Sequence, residues 1–210
     1  MNHDLIIIGG GAAGMTAACM AAGRYGKSVL LLERNPRLGR KLLITGKGRW
    51  NITNNCDINT LIANIPRNPR FLYSAFHNFS PEDTISFFED LGVPVKTERG
   101  NRVFPQSDRA YDVANALEQE LRRLKVEVRT ERVLKLLLDE SRITGVQCES
   151  GVKYFSPSVL IATGGKSYPL TGSTGDGYEL AKQAGHSVVP PVPSLIPILA
   201  KEADVKEMQG

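Results

Sequence analysis

A short apolar run that ends in glycines constrains this chain more than any other feature of its sequence. Residues 5–8 read Leu-Ile-Ile-Ile and lead directly into Gly9-Gly10-Gly11-Ala12-Ala13-Gly14, which fits the spacing G-x-G-x-x-G. An alanine-rich stretch over residues 12–23 and a second apolar run over residues 29–32 follow. This order predicts a buried strand, a helix and a second parallel strand, which together form a right-handed βαβ unit.

The glycine motif predicts a binding site for the pyrophosphate of a dinucleotide. Gly9 permits the tight turn, Gly11 lets the backbone approach the phosphates, and Gly14 lets the helix pack closely on the strand. The free N–H groups around Ala12 and Ala13 and the helix dipole favour an anion there. The alternative is a purely structural glycine turn, but the motif lies between a strand and a helix, as the binding motif requires.

An acidic residue at the end of the second strand supports the same interpretation. Glu33 follows Gly14 by 19 residues, a spacing at which a carboxylate can accept hydrogen bonds from ribose hydroxyls. Its negative charge would repel a 2′-phosphate. We assign Glu33 and the adjacent Arg34 to the predicted cofactor site.

Composition and charge narrow the class of protein. The 210 residues are enough for one sizeable domain, or for one domain and the start of a second. No apolar run approaches the roughly 20 residues that cross a bilayer. Three scattered cysteines without a Cys-x-x-Cys pair predict neither disulfides nor a metal knuckle, and indicate a cytoplasmic location. The net charge of +4 is dispersed, which suits a solvated surface or a surface that binds polyanions.

The remaining pattern alternates helices with strands. Residues 34–79 lack clear periodicity, and so long a loop is usually functional. Beyond it, helices are predicted at 80–92, capped by Ser80, and at 111–124, capped by Asp108. The other predicted elements are a hairpin (95–97 and 102–104), four strand-like runs interpreted as an antiparallel meander (126–129, 133–138, 143–148 and 152–155), a buried strand (159–162) and a helix (176–184).

The later part of the chain resembles flavoproteins with two dinucleotide folds, of the glutathione reductase type. The shared features are the meander and the strand that ends in Ala162-Thr163-Gly164. The resemblance implies an α/β fold, a Rossmann-like FAD-binding domain with an inserted antiparallel β-meander. It also implies that the Ala-Thr-Gly turn lies beside the dinucleotide and that the backbone near Val133 contacts the adenine. The alternative for the Ala-Thr-Gly sequence alone is an ordinary turn at the end of a strand.

The loop over residues 39–55 is the most distinctive stretch of the sequence. Its glycines, including Gly46 and Gly48, allow a close approach of the backbone to a ligand. Basic and polar side chains follow them, and these suit phosphate, a reduced flavin and the flavin edge. We assign to the cofactor site Arg40, Lys41, Thr45, Gly46, Gly48, Arg49 and Asn51. The alternative is a basic, solvated loop.

This loop is similar to the signature Gly-(Arg/Lys)-Lys-Leu-x-x-(Thr/Ser)-Gly-x-Gly-Arg-Cys-Asn-x-Thr-Asn of a family of bacterial and archaeal flavoproteins. The family is that of the NAD(P)/FAD-dependent oxidoreductases, which includes aminoacetone oxidase and the BaiN-type bile-acid reductases. Further matches span the chain, at residues 70–73, 100–105, 163–169 and 171–177.

The resemblance implies a flavin-dependent oxidoreductase that acts on a small organic substrate. Two directions stay open, amine oxidation with transfer of electrons to oxygen, or reduction with NAD(P)H as the donor. No catalytic residue is assigned, and neither a nucleic acid nor a membrane is expected as a partner. The alternatives are an FAD-dependent RNA-modifying enzyme and a non-catalytic FAD-binding fragment.

The sequence departs from the family pattern in two respects. Trp50 stands where the family usually has cysteine, so an aromatic ring replaces a thiol beside the expected flavin position. Family members also continue for about as many residues again. We therefore predict an FAD-binding domain over residues 1–190, and a linker with the start of a β-barrel domain over residues 191–210. The remaining C-terminal half of the parent protein is then a partner of this chain.

Overall fold

The computed structural model describes residues 3–193, and two kinds of sheet organise them. The strands are β1 (Leu5–Ile8), β2 (Val29–Glu33), β3 (Thr53–Asn54), β4 (Val95–Glu98), β5 (Arg102–Pro105), β6 (Glu127–Thr130), β7 (Val133–Asp139), β8 (Arg142–Cys148), β9 (Lys153–Phe155) and β10 (Val159–Ile161). The α-helices are α1 (Ala12–Tyr25), α2 (Ile58–Ala63), α3 (Tyr73–Asn78), α4 (Pro81–Asp90), α5 (Ala110–Arg123) and α6 (Asp176–Gln183).

A parallel sheet with the strand order β10-β1-β2-β6 lies at the centre of the fold. In its register, Ile8 lies beside Leu32 on one side and Ile161 on the other. Strands β1 and β2 are buried almost throughout, as their uninterrupted apolar sequences predict. The predicted βαβ unit is therefore confirmed, and the carboxyl ends of the four parallel strands lie at one edge of the sheet.

The predicted meander is confirmed for three of its four strands. Strands β7, β8 and β9 form an antiparallel sheet, but β6 pairs in parallel with β2 and belongs to the central sheet. The assignment of residues 126–129 to the meander was wrong. Only two residues separate β6 from β7, so the spacing of the runs does not reveal that the chain passes there from the central sheet to the meander. A third sheet, ordered β3-β5-β4, contains the predicted hairpin.

The two faces of the parallel sheet have different covers. Helices α1 and α5 pack on the face that presents Ile7 and Leu31, and the meander and α6 pack on the face that presents Ile6 and Leu30. Each of these four strand side chains is fully buried. The sheet is therefore the middle layer of three. Its carboxyl edge stays open between the helical layer and the layer formed by the meander and α6.

One of the two predicted helix caps is present. At the start of α4, the Ser80 hydroxyl accepts a hydrogen bond from the Asp83 N–H, and the Asp83 carboxylate accepts one from the Ser80 N–H. Asp108 does not cap α5. Arg109 occupies the cap position, while the Asp108 carboxylate is bound to Lys96 and Arg49 instead.

The segment predicted to be irregular contains several short helices. They are a 3-10 segment (Leu42–Gly48), α2, a second 3-10 turn (Pro69–Leu72) and α3. The first is interrupted at Thr45, Gly46 and Lys47, whose backbones are not helical. Elements this short lack a periodic pattern, which is why the sequence does not reveal them.

The predicted domain boundary lies close to the end of the described chain. Residues 194–210, most of the stretch predicted to be a linker and the start of a second domain, lie outside the described residues, so that division stays a prediction. Within residues 3–193 we find no helix with the length and apolar character that a bilayer crossing requires.

Candidate dinucleotide site

A cavity of about 560 Å³ opens at the carboxyl edge of the parallel sheet. It lies where β1, β2 and β10 end and where α1 begins, which is where open α/β sheets bind their ligands. Most of the residues assigned from the sequence line it, namely Gly9, Gly11, Ala12, Ala13, Glu33, Arg34, Arg40, Lys41, Thr45, Val133, Ala162, Thr163 and Gly164.

The glycine turn forms a cradle at the start of α1. Gly11 is the N-cap of the helix, and no side chain in the described part of the chain caps it, so the first N–H groups of α1 are left for a ligand. Apart from its own chain neighbours, no atom of residues 3–193 lies within 4 Å of a Cβ built on Gly11, and Gly11 lines the cavity. A phosphate fits this cradle because the free N–H groups and the helix dipole both favour an anion.

The other two glycines of the motif have packing roles. A Cβ on Gly9 would lie 2.6 Å from the Ala162 carbonyl oxygen, so the turn after β10 passes directly against it. A Cβ on Gly14 would overlap the Gly9 carbonyl oxygen. Gly14 does not line the cavity, and its contact is the close helix–strand packing that the motif predicts.

Glu33 is buried and fixed in orientation by the protein. Its Oε2 accepts a hydrogen bond of 2.7 Å from the Gly10 N–H, and its Oε1 accepts bonds from the N–H and the side-chain amide of Asn35. A carboxylate oxygen offers two lone pairs, so Oε2 keeps one for a ligand hydroxyl.

Asn35 connects three segments around the cavity and was missed in the sequence. Besides its bonds to Glu33, it accepts a hydrogen bond from Arg40 and donates one to the Thr171 carbonyl oxygen. Because the bond to Glu33 is local, the asparagine two residues after the carboxylate could have been identified from the sequence as its hydrogen-bond partner. The bond to Thr171 crosses 136 residues of sequence and required the fold.

Basic side chains outnumber acidic ones around the cavity. Five basic residues face three acidic ones, and these eight residues are Arg34, Arg37, Arg40, Lys41, Arg132, Glu33, Glu131 and Asp176. Lys41 also donates to the Ser167 hydroxyl at 2.7 Å, which ties the 3-10 segment to the turn after β10. The excess of positive charge suits a ligand that carries phosphates.

Asp176, the first residue of α6, anchors two of these arginines. It accepts hydrogen bonds from Arg132 and Arg34, and a third from the Thr174 hydroxyl. Burial alone would raise the pKa of Asp176, but the hydrogen bonds from Arg132 and Thr174 and the nearby positive charges hold it below its ordinary value. Asp176 therefore stays ionised and positions Arg34 and Arg132 at the cavity.

The turn after β10 presents an unsatisfied polar atom. The Thr163 hydroxyl oxygen is buried and has no hydrogen-bond partner among the residues that the structure describes. Thr163 lines the cavity, as do Ala162 and Gly164 beside it. That oxygen has almost no exposed surface, and a Cβ on Gly177 would lie 2.3 Å from it, so the hydroxyl packs against α6 and does not face a ligand.

Besides Gly14, four assigned residues lie outside the cavity lining. They are Gly46, Gly48, Arg49 and Asn51. Gly46 and Gly48 have positive φ angles and form the bends of the loop. The Asn51 amide, oriented to satisfy its surroundings, donates to the carbonyl oxygens of Thr53 and Val103 in the β3–β5 region. A direct ligand contact of these residues stays a prediction.

Arg49 belongs to a ring of four charges. Its guanidinium pairs with Glu98 and Asp108, and Lys96 pairs with the same two carboxylates. The guanidinium also lies 4.2 Å from the centre of the Phe104 ring. This charge ring connects the end of the 3-10 segment to β4 and to the start of α5, and thereby fixes the loop that supplies Lys41 and Thr45 to the cavity.

The charge ring predicts a loss of stability in acid. Hydrogen bonds from Lys96 and then Arg49 hold the pKa of Asp108 below its ordinary value. The stabilisation is therefore present above the ordinary carboxyl range and lost as the pH falls through the lowered value. We expect Asp108→Asn to lower the urea midpoint at neutral pH and to have little effect in acid.

A matched control tests this assignment. Asp112 pairs with Arg109 at 3.8 Å on the exposed side of α5, and such pairs contribute little. Asp112→Asn should therefore leave the midpoint unchanged at both pH values. Equal losses for the two variants would show that the charge ring has no special role.

Comparison with curated proteins gives two informative relatives. The chain is 36% identical over 205 residues to a 3-dehydro-bile acid delta(4,6)-reductase of Clostridium scindens, covering 97% of this chain and 49% of the relative. It is 33% identical over 213 residues to a ribosomal RNA dihydrouridine synthase of Escherichia coli K12, covering 99% and 51%. The chain thus spans about half the length of the curated relatives that it matches.

Comparison with solved structures supports the fold. A flavocytochrome c3 fumarate reductase in an open conformation superposes with a TM-score of 0.69 at 21% sequence identity, covering 89% of this chain and 41% of that one. The family model described as the HI0933-like protein Rossmann domain matches residues 3–209. The predicted Rossmann-like fold and the predicted family are therefore confirmed, and the chain belongs to the HI0933-like family of Rossmann-domain proteins.

Proposed function

We propose that this chain forms the FAD-binding part of a flavin-dependent oxidoreductase. The observation that carries the proposal is the single cavity that joins the open cradle at Gly11 to the fixed carboxylate of Glu33 and to the basic loop around Lys41. A dinucleotide needs these three kinds of contact together: one for its pyrophosphate, one for its adenosine ribose and one for its second nucleotide, which in FAD carries the flavin.

The residues present fit FAD. The N–H groups at the start of α1 would hold the pyrophosphate, and Glu33 Oε2 would accept a hydrogen bond from the adenosine ribose. The backbone at Val133 would border the adenine. Lys41 and Thr45 would border the flavin. Bound FAD would supply hydride-transfer chemistry, while this chain would bind it, orient it and keep water from it.

We further propose that the whole protein works in the reductive direction. The names of both relatives describe the reduction of a carbon–carbon double bond, in a bile acid in one case and in uridine in the other. The substrate class would then be a small molecule with such a bond, and NAD(P)H would be the electron donor. A cytoplasmic location, supported by three free cysteines, completes the proposal.

A second candidate is the modification of ribosomal RNA. The E. coli relative covers as much of this chain as the bile-acid reductase does, and the net charge of +4 suits a polyanion. The sequence led us to expect no nucleic acid, and this relative makes RNA the main rival. Retention of the protein by ribosomal RNA at low salt, with release at high salt, would favour it over a small-molecule substrate.

The proposal predicts a preference for the complete dinucleotide. We expect FAD to bind at least about tenfold more tightly than FMN, because FMN lacks the adenosine that Glu33 and Val133 would contact. The measurement is the visible absorption retained by the protein after gel filtration with each flavin.

Glu33→Gln should bring the affinities for FAD and FMN closer, since an amide would place a donor against the Gly10 N–H or the Asn35 donors. A protein that stays colourless with FAD would remove the proposal.

A further inference from the structure

Trp50 has a backbone conformation that bulky residues rarely adopt. Its φ angle is 57°, in the left-handed region, where side chains larger than glycine are disfavoured. The residue as a whole is only 8% exposed, and it forms part of the cavity wall. Strain of this kind persists only where surrounding contacts enforce it, and it concentrates at ligand sites.

Several contacts hold Trp50 in this conformation. Its backbone N–H donates to the Thr45 carbonyl oxygen at 3.1 Å. Its indole ring meets the Phe88 ring edge-on, with the ring centroids 5.4 Å apart. The preceding residue, Arg49, is anchored by the charge ring and lies over Phe104. The loop, the charge ring and α4 thus combine to place one indole in the cavity wall.

The indole belongs to a different part of the wall from the predicted adenosine contacts. Trp50 follows the 3-10 segment that supplies Leu42 and Thr45, and it packs against α4. The adenosine contacts come instead from the end of β2, at Glu33, and the start of β7, at Val133. The side chain is therefore placed to act on the other half of a bound dinucleotide.

We propose that Trp50 is a specificity-determining residue that forms the wall against the planar ring of a bound flavin and sets how far that ring enters. The ligand class is a flat heteroaromatic ring joined to an adenine nucleotide. The proposal rests on the proposed function, since it requires that the cavity bind FAD.

The test compares FAD with ADP, which lacks the flavin ring, by calorimetric titration. Trp50→Gly removes the indole and leaves a residue that adopts a positive φ without strain. We expect this variant to bind FAD about tenfold more weakly, as the loss of one aromatic contact predicts, with ADP affinity within about twofold of wild type. Trp50→Phe keeps an aromatic ring and should recover most of the FAD affinity.

Two further variants separate specificity from stability. Val146→Ala removes buried apolar volume from the meander, far from Trp50 and outside the cavity lining, so it should lower the unfolding midpoint and leave the ratio of FAD to ADP affinity unchanged. If Trp50→Gly is too unstable to purify, Trp50→Leu keeps buried apolar volume and should show the same selective loss.

The outcomes distinguish this proposal from the proposed function. Equal weakening of FAD and ADP, or no weakening of either, would overturn the role of Trp50 and leave FAD binding intact. A wild-type chain that binds neither ligand would overturn the proposed function, and this inference with it. Because the chain contains one tryptophan, the wild-type fluorescence reports on this wall alone, and we expect FAD to quench it and ADP to leave it unchanged.

Discussion

Replacement of Gly11 by valine is expected to abolish FAD binding while leaving the fold intact. The backbone of Gly11 is extended, with φ of −84°, so a β-branched residue is allowed there. Among the described residues, only its chain neighbours lie within 4 Å of the position that a Cβ would take. The valine side chain would instead fill the cradle in front of the first N–H groups of α1.

The expected size of the effect follows from the hydrogen bonds that would be lost. A hydrogen bond to a charged group contributes about 1.5–3 kcal/mol, so the loss of two costs about 3 kcal/mol or more. That corresponds to at least about a hundredfold weaker FAD binding. The free energy of unfolding of the protein without FAD should change by no more than about 1 kcal/mol, because only the N-cap preference of the residue changes.

A second glycine provides the matched control. Gly165 follows β10 but does not line the cavity, and a Cβ there would make an ordinary contact of 3.5 Å with the Tyr178 hydroxyl. Gly165→Ala should therefore leave FAD affinity and stability unchanged. Titration of both variants with FAD, alongside thermal melts without it, makes the comparison. Undiminished binding by Gly11→Val would mean that the pyrophosphate lies elsewhere.

The parallel sheet and the cradle could be predicted from the sequence because their signals are local. The apolar runs of β1 and β2 and the glycines between them lie within one short stretch, and each residue type has a direct geometric consequence. Glu33 is found in the same way, since the strand that carries it ends at a fixed distance from the motif.

The charge ring could not be predicted because its members meet only through tertiary structure. Arg49 ends one segment, Lys96 and Glu98 lie on β4, and Asp108 precedes α5. From the sequence, Lys96 and Glu98 were given no role. Arg49 was assigned to the cofactor site, and Asp108 to a helix cap. Its carboxylate bonds two cations instead, and its positive φ of 56° places it before the helix proper.

The position of the functional loop was predictable and its internal contacts were not. Its length and its glycines marked it as a binding segment, and Arg40, Lys41 and Thr45 do line the cavity. Arg49 was expected to face the ligand because it is basic and lies within the same motif. Residue type alone does not distinguish a cation that binds phosphate from one that two carboxylates already hold.

Replacement of Gly14 by alanine should have the opposite outcome to replacement of Gly11, because it destabilises the fold and does not block the ligand site. A Cβ on Gly14 would overlap the carbonyl oxygen of Gly9, which is backbone and is fixed between β1 and β10. No rotation of a side chain relieves this overlap, so α1 must move away from the sheet. Overpacking of this kind costs about 3 kcal/mol at its upper range, and more where backbone must shift.

Such a loss is a large share of the free energy of unfolding of native proteins, which is roughly 5–15 kcal/mol. We expect a melting temperature lower by about 6–12 °C for a chain of this size, measured by circular dichroism without FAD. Gly23→Ala is the control within the same helix, because its Cβ would meet only the flexible end of Leu124, and alanine favours a helix over glycine by about 1 kcal/mol. That variant should melt at the wild-type temperature or above it. If Gly14→Ala melted there as well, the close packing of α1 on β1 would not be what requires glycine at this position.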